Sequence, residues 1–425
     1  MPPISADTLA GQAMAVARAL LDPQRVAAAL TPSAAATLSD GLAGTALLHA
    51  CLSHTGPEFA TAAAHHWEAA ARLCDRTPPD GIYTGPGGLA ASLIIGSGYL
   101  PHTDRYRDTA RRATAWLSAR AQGLARHQQH RTQARRPGAP WAVYDTIRGL
   151  AGIGRVLLAA HTAGHQEAAD PGLTAALTTL TALIRTQHGT RPGWWLPADE
   201  HPPTVTVHAS GAATTGLAHG IAGPLAFLAT AHLTGRTVPG QAEAIHTAAS
   251  WLLTWQEPAA SWPTSINGND LDNPPTRRPH PRPPGRRDAW CYGTPGIGSA
   301  LTLAGQALAD PDLSRTGRTA ITTLADRAPH QWDTDGPALC HGAAGVLQTA
   351  SRTTCAAVAQ QAAGHTVSFH DPGRPFGFPQ TEAGTAYDNP GFLTGAAGTA
   401  LALADYAGLL PPDPPAPWDC LLLLA

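Results

Sequence analysis

The chain has 425 residues, 43% of them apolar, enough for one large domain or two to three ordinary ones with a sizeable core. Its formal charge is −2, which argues against nucleic acid as the main partner, because phosphate binding needs a basic surface. Six cysteines are too few for a disulfide scaffold at this length, the N-terminal stretch lacks the charged start and apolar block of a signal peptide, and no stretch approaches the roughly 18 apolar residues of a spanning helix. The expectation is a soluble, cytoplasmic protein with reduced thiols and no transmembrane segment.

From the N-terminus, an amphipathic helical segment from about Ala6 to Leu21 precedes the glycine turn DGLAG (Asp40–Gly44), which opens the apolar run GTALLHACLSH. A second segment, Phe59 to Cys74, precedes TGPGG (Thr84–Gly88). A third, Tyr106 to Leu124, is joined by the loop HRTQARRPGAPWAV to RGLAG (Arg148–Gly152) and its run GIGRVLLAAHTAG. A fourth, Leu173 to Gln187, leads through PADEHPPTVTVHASGAATT to HGIAG (His219–Gly223). Pro224 follows, where the first turn of a helix tolerates a missing N–H. A fifth, Ala242 to Gln256, leads through NGNDLDNPPTRRPHPRPPGRR to YGTPGIG (Tyr292–Gly298). Segments at Leu313 to Ala328 and Thr354 to Ala363 precede HGAAG (His341–Gly345) and TGAAG (Thr394–Gly398).

The x-G-x-x-G turn therefore recurs seven times, at intervals of roughly 45 to 75 residues, and most copies open a helix of small, uncharged residues. Such helices bury on most sides, whereas the segments before the turns carry a solvated face. The fold class this predicts is all-α: an α/α toroid, a double-layered barrel of seven inner and seven outer helices in a single domain, 1–425. An open solenoid is the alternative, but the inner helices are too apolar for an open concave surface. The three long loops feed the end of the ring that carries the turns, as a binding face or as tolerated insertions.

Chemistry concentrates beside the turns. Cys291 and Cys340 stand at equivalent places in neighbouring repeats, and His341 follows Cys340. Two thiolates and an imidazole suit zinc, whose catalytic sites use three protein ligands and leave a fourth position open. Cys51, Cys74, Cys355 and Cys420 occupy no equivalent place and read as packing residues or incidental thiols. His219 matches His341 in the repeat and is a candidate proton carrier near neutral pH. Asp145, in YDTIRGLAGIG, either orients a histidine or caps a helix. Arg287, in GRRDAWC, either stabilises an oxyanion or belongs to a basic loop with Arg282. The remaining histidines read as structural.

The motifs RDAWCYGTPG, CHGAAG, GLAHGIAG and YDTIRGLAGIG together resemble those of the lanthionine synthetase C-like family, the cyclases of class I lanthipeptide biosynthesis. The resemblance covers essentially the whole chain. It implies one Zn2+ held by Cys291, Cys340 and His341, with Asp145, His219, Arg287 and Tyr292 lining the active site and Trp290 beside them. The reaction implied is addition of a precursor-peptide cysteine thiolate to dehydroalanine or dehydrobutyrine. His219 would protonate the enolate, Asp145 would orient that acid, and Arg287 or Tyr292 would steady the oxyanion. The implied partners are a dehydrated precursor peptide, leader plus core, and the dehydratase and exporter of the same pathway, with peripheral membrane association through that complex. Two rivals remain: addition of a small thiol such as glutathione to dehydroamino acids, and a non-catalytic, zinc-stabilised toroid that only binds peptide. A zinc prenyltransferase would mix a carboxylate into the ligand set.

Overall fold

A computed structural model of the protein describes residues 4–74, 81–101, 104–274, 285–382 and 385–425. The proline-rich centre of the loop before the fifth turn, with Arg282, lies outside the described residues. Among the described residues, fourteen helices of ten residues or more alternate between two layers. The outer layer holds α1 (Ala6–Ala19), α3 (Pro57–Cys74), α5 (Asp104–Gln133), α7 (Gln166–Arg185), α9 (Gln241–Thr254), α11 (Pro311–Thr322) and α13 (Ala356–Ser368). The inner layer holds α2 (Leu42–Cys51), α4 (Gly85–Gly96), α6 (Leu150–Thr162), α8 (Ala222–Leu233), α10 (Thr294–Ala307), α12 (Ala343–Arg352) and α14 (Ala396–Tyr406).

Sequence explains the division. Every residue of α2 is buried, as a helix made almost wholly of Leu, Ala, Gly, Thr and Cys requires, and His49 is buried with them. α3 buries Phe59, Ala62, Ala63, His66, Trp67, Ala70 and Cys74, spaced by three and four, and leaves its other face to solvent. Each inner helix packs on the next, and α14 returns to α2. The solenoid alternative is thereby excluded and the toroid stands.

Backbone hydrogen bonds trace the closure. Ser39 N–H donates to Tyr83 O (3.0 Å), Ile82 to Ile147 (3.1 Å), Thr146 to Ala218 (3.0 Å) and Ala218 to Cys291 (3.1 Å). Cys291 donates to Cys340 (3.0 Å), Cys340 to Leu393 (2.8 Å), and Leu393 back to Ser39 (2.8 Å). Every repeat is thus bonded to its neighbour through the residues just before its glycine turn. The tail crosses the interior. Leu421, Leu422 and Leu423 are fully buried, Tyr83 Oη donates to Leu421 O (2.6 Å), and Trp290 Nε1 donates to Leu422 O (2.8 Å).

The turn is built on close backbone approach. The second glycine presses on the carbonyl six residues earlier: Gly152 on Thr146, Gly398 on Phe392. In the second repeat that contact is Gly87 on Gly81, which shifts the frame of TGPGG by one. A methyl group at Gly398 would stand on the Phe392 carbonyl, whereas one at Gly11 in α1 meets nothing within 4 Å. Gly398→Ala should lose about 2–4 kcal/mol of unfolding free energy. Gly11→Ala should gain up to about 1 kcal/mol. Urea titration of both variants checks the pair, and equal midpoints would contradict this account of the turn.

The structure also departs from the sequence expectations. α5 continues past Leu124 to Gln133, because AQGLARHQQHRTQ contains no proline, and the helix stops only before Arg135 at φ 53 and Pro137. α7 starts at Gln166, ahead of Leu173, and carries Pro171 inside it. Gly172 N–H there donates to Ser118 Oγ (2.8 Å), where α7 meets α5 closely. Three antiparallel strand pairs were not anticipated: β1 (Gln187–His188) with β2 (Arg191–Pro192), β3 (Ala212–Thr214) with β4 (Ser265–Asn267), and β5 (Gln380–Glu382) with β6 (Thr385–Tyr387). The β3–β4 pair joins two of the long loops, with buried Ala213 opposite buried Ile266.

Candidate metal centre and adjoining cleft

The ring of backbone hydrogen bonds sets the geometry of the chemical residues. Cys291 and Cys340 are consecutive members of it, so their side chains leave the ring side by side. Gly293 sits at φ +99, a conformation that side chains other than glycine's resist, and it turns the chain from Cys291 and Tyr292 into α10. One ligand atom each from Cys291, Cys340 and His341 lies within 4.8 Å of the others, the one such group among the described residues. Tetrahedral zinc, with Zn–S of about 2.3 Å and Zn–N of about 2.0 Å, spaces its donors roughly 3.5–3.8 Å apart, so the set is of fitting size and chemistry.

The two thiols polarise each other. The Cys291 thiol is drawn down to about 5, foremost by the hydrogen bond from Cys340 and, against burial, by His341 and the charge of Arg287. That same bond, burial and the Cys291 charge push Cys340 well up. The hydrogen bond to Cys291 raises His341. Of the two sulfurs, Cys291 is the more readily ionised.

Beside this group opens a cleft of about 780 Å³ whose walls include Trp141, Asp145, His219, Arg287 and Tyr292. Asp145 is fully buried and uses both carboxylate oxygens. Its Oδ1 accepts the N–H groups of Arg148 (2.7 Å) and Gly149 (2.9 Å) at the start of α6, and its Oδ2 lies 2.6 Å from His219 Nδ1. The two readings of Asp145, helix cap and histidine partner, are thus the two ends of one carboxylate. With Nδ1 so engaged, Nε2 is the histidine's remaining nitrogen. Tyr292 lies with its ring centre 6.4 Å from that of His219. Burial, with the Cys291 charge behind it, raises its phenol well above the usual value, so it remains a neutral donor.

Arg287 lines the cleft rather than joining a loose basic loop. Its Nη1 donates to Asp333 (3.1 Å) and its Nη2 to Asp335 (2.6 Å). Burial works against its charge, but the bond and charge of Asp335, with Asp333 and Cys291, more than offset this and raise its pKa. Trp290, expected beside the site, is fully buried, its indole turned to the tail at Leu422.

Several residues of the site went unnoticed in the sequence. Trp141 stacks on His219, with ring centres 4.7 Å apart and planes 13° from parallel. His201 meets the edge of Trp141 at 5.7 Å. A tryptophan inside the proline-rich loop GAPWAV is the one signal that pointed there. Asp333 and Asp335 carried none. The four cysteines read as incidental are buried, form no disulfide and lie outside the ligand group. His49 and His66, pushed down to about 3 and about 4 chiefly by burial, are structural in the same way.

Residues 32–423 match the model of a family described as lanthionine synthetase C-like protein. No curated protein matches the chain. Among solved structures, it is similar to one titled nisin cyclase, with a TM-score of 0.72 and 19% identity over 99% of this chain and 96% of that one. At that identity the likeness carries the fold. No described helix is long and apolar enough to cross a membrane.

Proposed function

The chain belongs to the lanthionine synthetase C-like family, and from that premise we propose that it is a zinc-dependent lanthipeptide cyclase closing thioether rings in a dehydrated precursor peptide. The observation that carries the reading is the Cys291, Cys340 and His341 group beside a cleft that presents His219, Arg287 and Tyr292. Zinc bound there would keep an incoming peptide thiol ionised at neutral pH, and two sulfur ligands would leave that thiolate nucleophilic.

The chain's own residues supply the rest. As the peptide sulfur bonds to the β-carbon of dehydroalanine or dehydrobutyrine, the double-bond electrons move toward the carbonyl oxygen. Tyr292, a neutral donor, and Arg287, held in place by Asp333 and Asp335, steady that oxygen. His219 delivers a proton from Nε2 to the α-carbon, while Asp145 keeps Nδ1 protonated and aimed. The sulfur's proton is replaced by one on carbon, so the lanthionine or methyllanthionine product has the mass of its substrate. This reading takes 1–425 as one cytoplasmic catalytic domain. It makes precursor peptide, leader plus core, the substrate, a dehydratase the supplier of that substrate and an exporter the consumer of the product.

Incubation with a dehydrated precursor peptide tests it. Titratable peptide thiols should disappear with no change in mass, and chelation of zinc should stop the loss. Thiols that persist would overturn the reading. A mass gain equal to glutathione, when that is supplied, would favour addition of a small thiol instead. Binding without thiol loss would leave only a peptide-binding toroid.

A further inference from the structure

A second opening, of about 740 Å³, lies between the outer helices α5 and α7, and the reaction just described makes no use of it. Its two walls differ. On α7, no charged residue occurs from Pro171 to Ile184, although Thr174, Thr178 and Ala182 form an exposed ridge there. A solvent-facing outer helix ordinarily carries charge on such a face, and a face of threonine and alanine is cheap to dry. On the other wall stand Arg126, Arg135 and Arg136, all exposed. Among the described residues no carboxylate pairs with any of the three, and no acidic residue lines the groove. This basic strip belongs to a chain whose net charge is −2.

A buried polar group points the same way. Gln128 lines the groove and is only 8% exposed. Its Nε2 donates to Gly138 O at 3.2 Å, but its Oε1 has no partner. An acceptor so placed is costly, which marks this wall of the groove as one whose hydrogen bonding is incomplete.

The groove also adjoins the cleft. Gly138 lines the groove, whereas Pro140 and Trp141 line the cleft. Three residues of chain reach at most about 10 Å. Arg131, in α5, braces this shared wall through an ion pair to Glu200 (2.7 Å) and a bond to Pro137 O (3.0 Å), and Glu200 is itself a cleft residue. The two openings thus share one stretch of wall.

We infer that the α5–α7 groove binds an acidic stretch of the peptide substrate while another part of the same peptide occupies the cleft. The carboxylates face Arg126, Arg135 and Arg136, and small side chains lie on the threonine ridge. This rests on the cyclase reading for the identity of the peptide, but not for the groove's preference for acidic chains.

The binding test needs no turnover. A fluorescein-labelled peptide of alternating Glu and Ala, and its Gln–Ala counterpart, are titrated with the full chain and followed by anisotropy. The Glu–Ala peptide should bind, more weakly as salt is raised, and the Gln–Ala peptide should not. The triple variant Arg126→Ser, Arg135→Ser, Arg136→Ser should weaken binding at least roughly tenfold. Thr178→Trp, which leaves the charges and fills the groove, should weaken it too. Unchanged affinity in both variants, or equal binding of the two peptides, would overturn the inference. So would loss of binding to phosphatidylglycerol vesicles in the triple variant with peptide affinity retained, since that would mark a membrane surface. On a dehydrated precursor carrying an acidic stretch, the triple variant should show its defect in KM rather than kcat. If the wild-type protein binds the Glu–Ala peptide as described but closes no ring, the cyclase reading fails and the groove stands.

Discussion

Cys340→Ala is expected to leave a folded protein with no retained zinc and no measurable ring closure. The side chain contributes one of three candidate ligand atoms. Loss of a hydrogen-bond partner behind a ligand already costs about 10–100-fold in metal affinity, so loss of a ligand itself should cost at least about 1,000-fold. Turnover should fall with it, because the peptide thiol then lacks the cation that would keep it ionised. The fold should survive. The link that Cys340 makes to Leu393 uses its backbone N–H, and the link from Cys291 uses its backbone carbonyl, so alanine preserves both. Removing the sulfur leaves a small void worth about 1 kcal/mol. Cys420→Ala is the matched control: that thiol is fully buried yet outside the ligand group, so zinc and turnover should stay. Zinc per chain after desalting, read alongside the thiol assay, decides the matter. A Cys340→Ala protein that keeps one zinc and turns over normally would remove Cys340 from the ligand set.

His219→Ala should separate chemistry from metal binding. Zinc should remain stoichiometric, and kcat should fall by about 10²–10⁴, the usual contribution of a positioned acid. Asp145→Asn should produce a smaller loss, about 10–100-fold, for a geometric reason. Its Oδ1 can still accept the Arg148 and Gly149 amides, so the start of α6 is preserved. The amide nitrogen then faces His219 Nδ1 and donates where the carboxylate accepted. The histidine is driven into the tautomer with its proton on Nε2 and loses the carboxylate that orients its ring. If the two residues act as one unit, the double variant should be no slower than His219→Ala alone. Multiplicative losses would mean that they work separately, and a His219→Ala enzyme at wild-type rate would end the assignment.

Much of this architecture was legible because it is local and repeated. The alternation of apolar and amphipathic segments follows from side-chain spacing along one helix, and the glycine turns recur because each second glycine must clear a carbonyl six residues back. Equivalence within that repeat put Cys291 beside Cys340 and His219 on the same end. The features that escaped depend on contacts between distant segments. Ala213, in one proline-rich loop, pairs with Ile266, just ahead of another, and neither stretch alternates long enough to announce a strand. Asp333 and Asp335 reach Arg287 from an irregular connection, where an aspartate looks like any solvated loop residue. Pro171 misled in the opposite sense, since a proline inside α7 hid about the first two turns of that helix.

The circle of seven amide-to-carbonyl links has a mechanical implication. A hoop has no outermost member, so no repeat can fray while its neighbours stay put. The two sulfurs ride on adjoining staves of that hoop, and their spacing is fixed by the circumference as a whole. Any breathing that parted them would have to be shared by all seven staves at once, including the one, distant along the chain, where Leu393 meets Ser39.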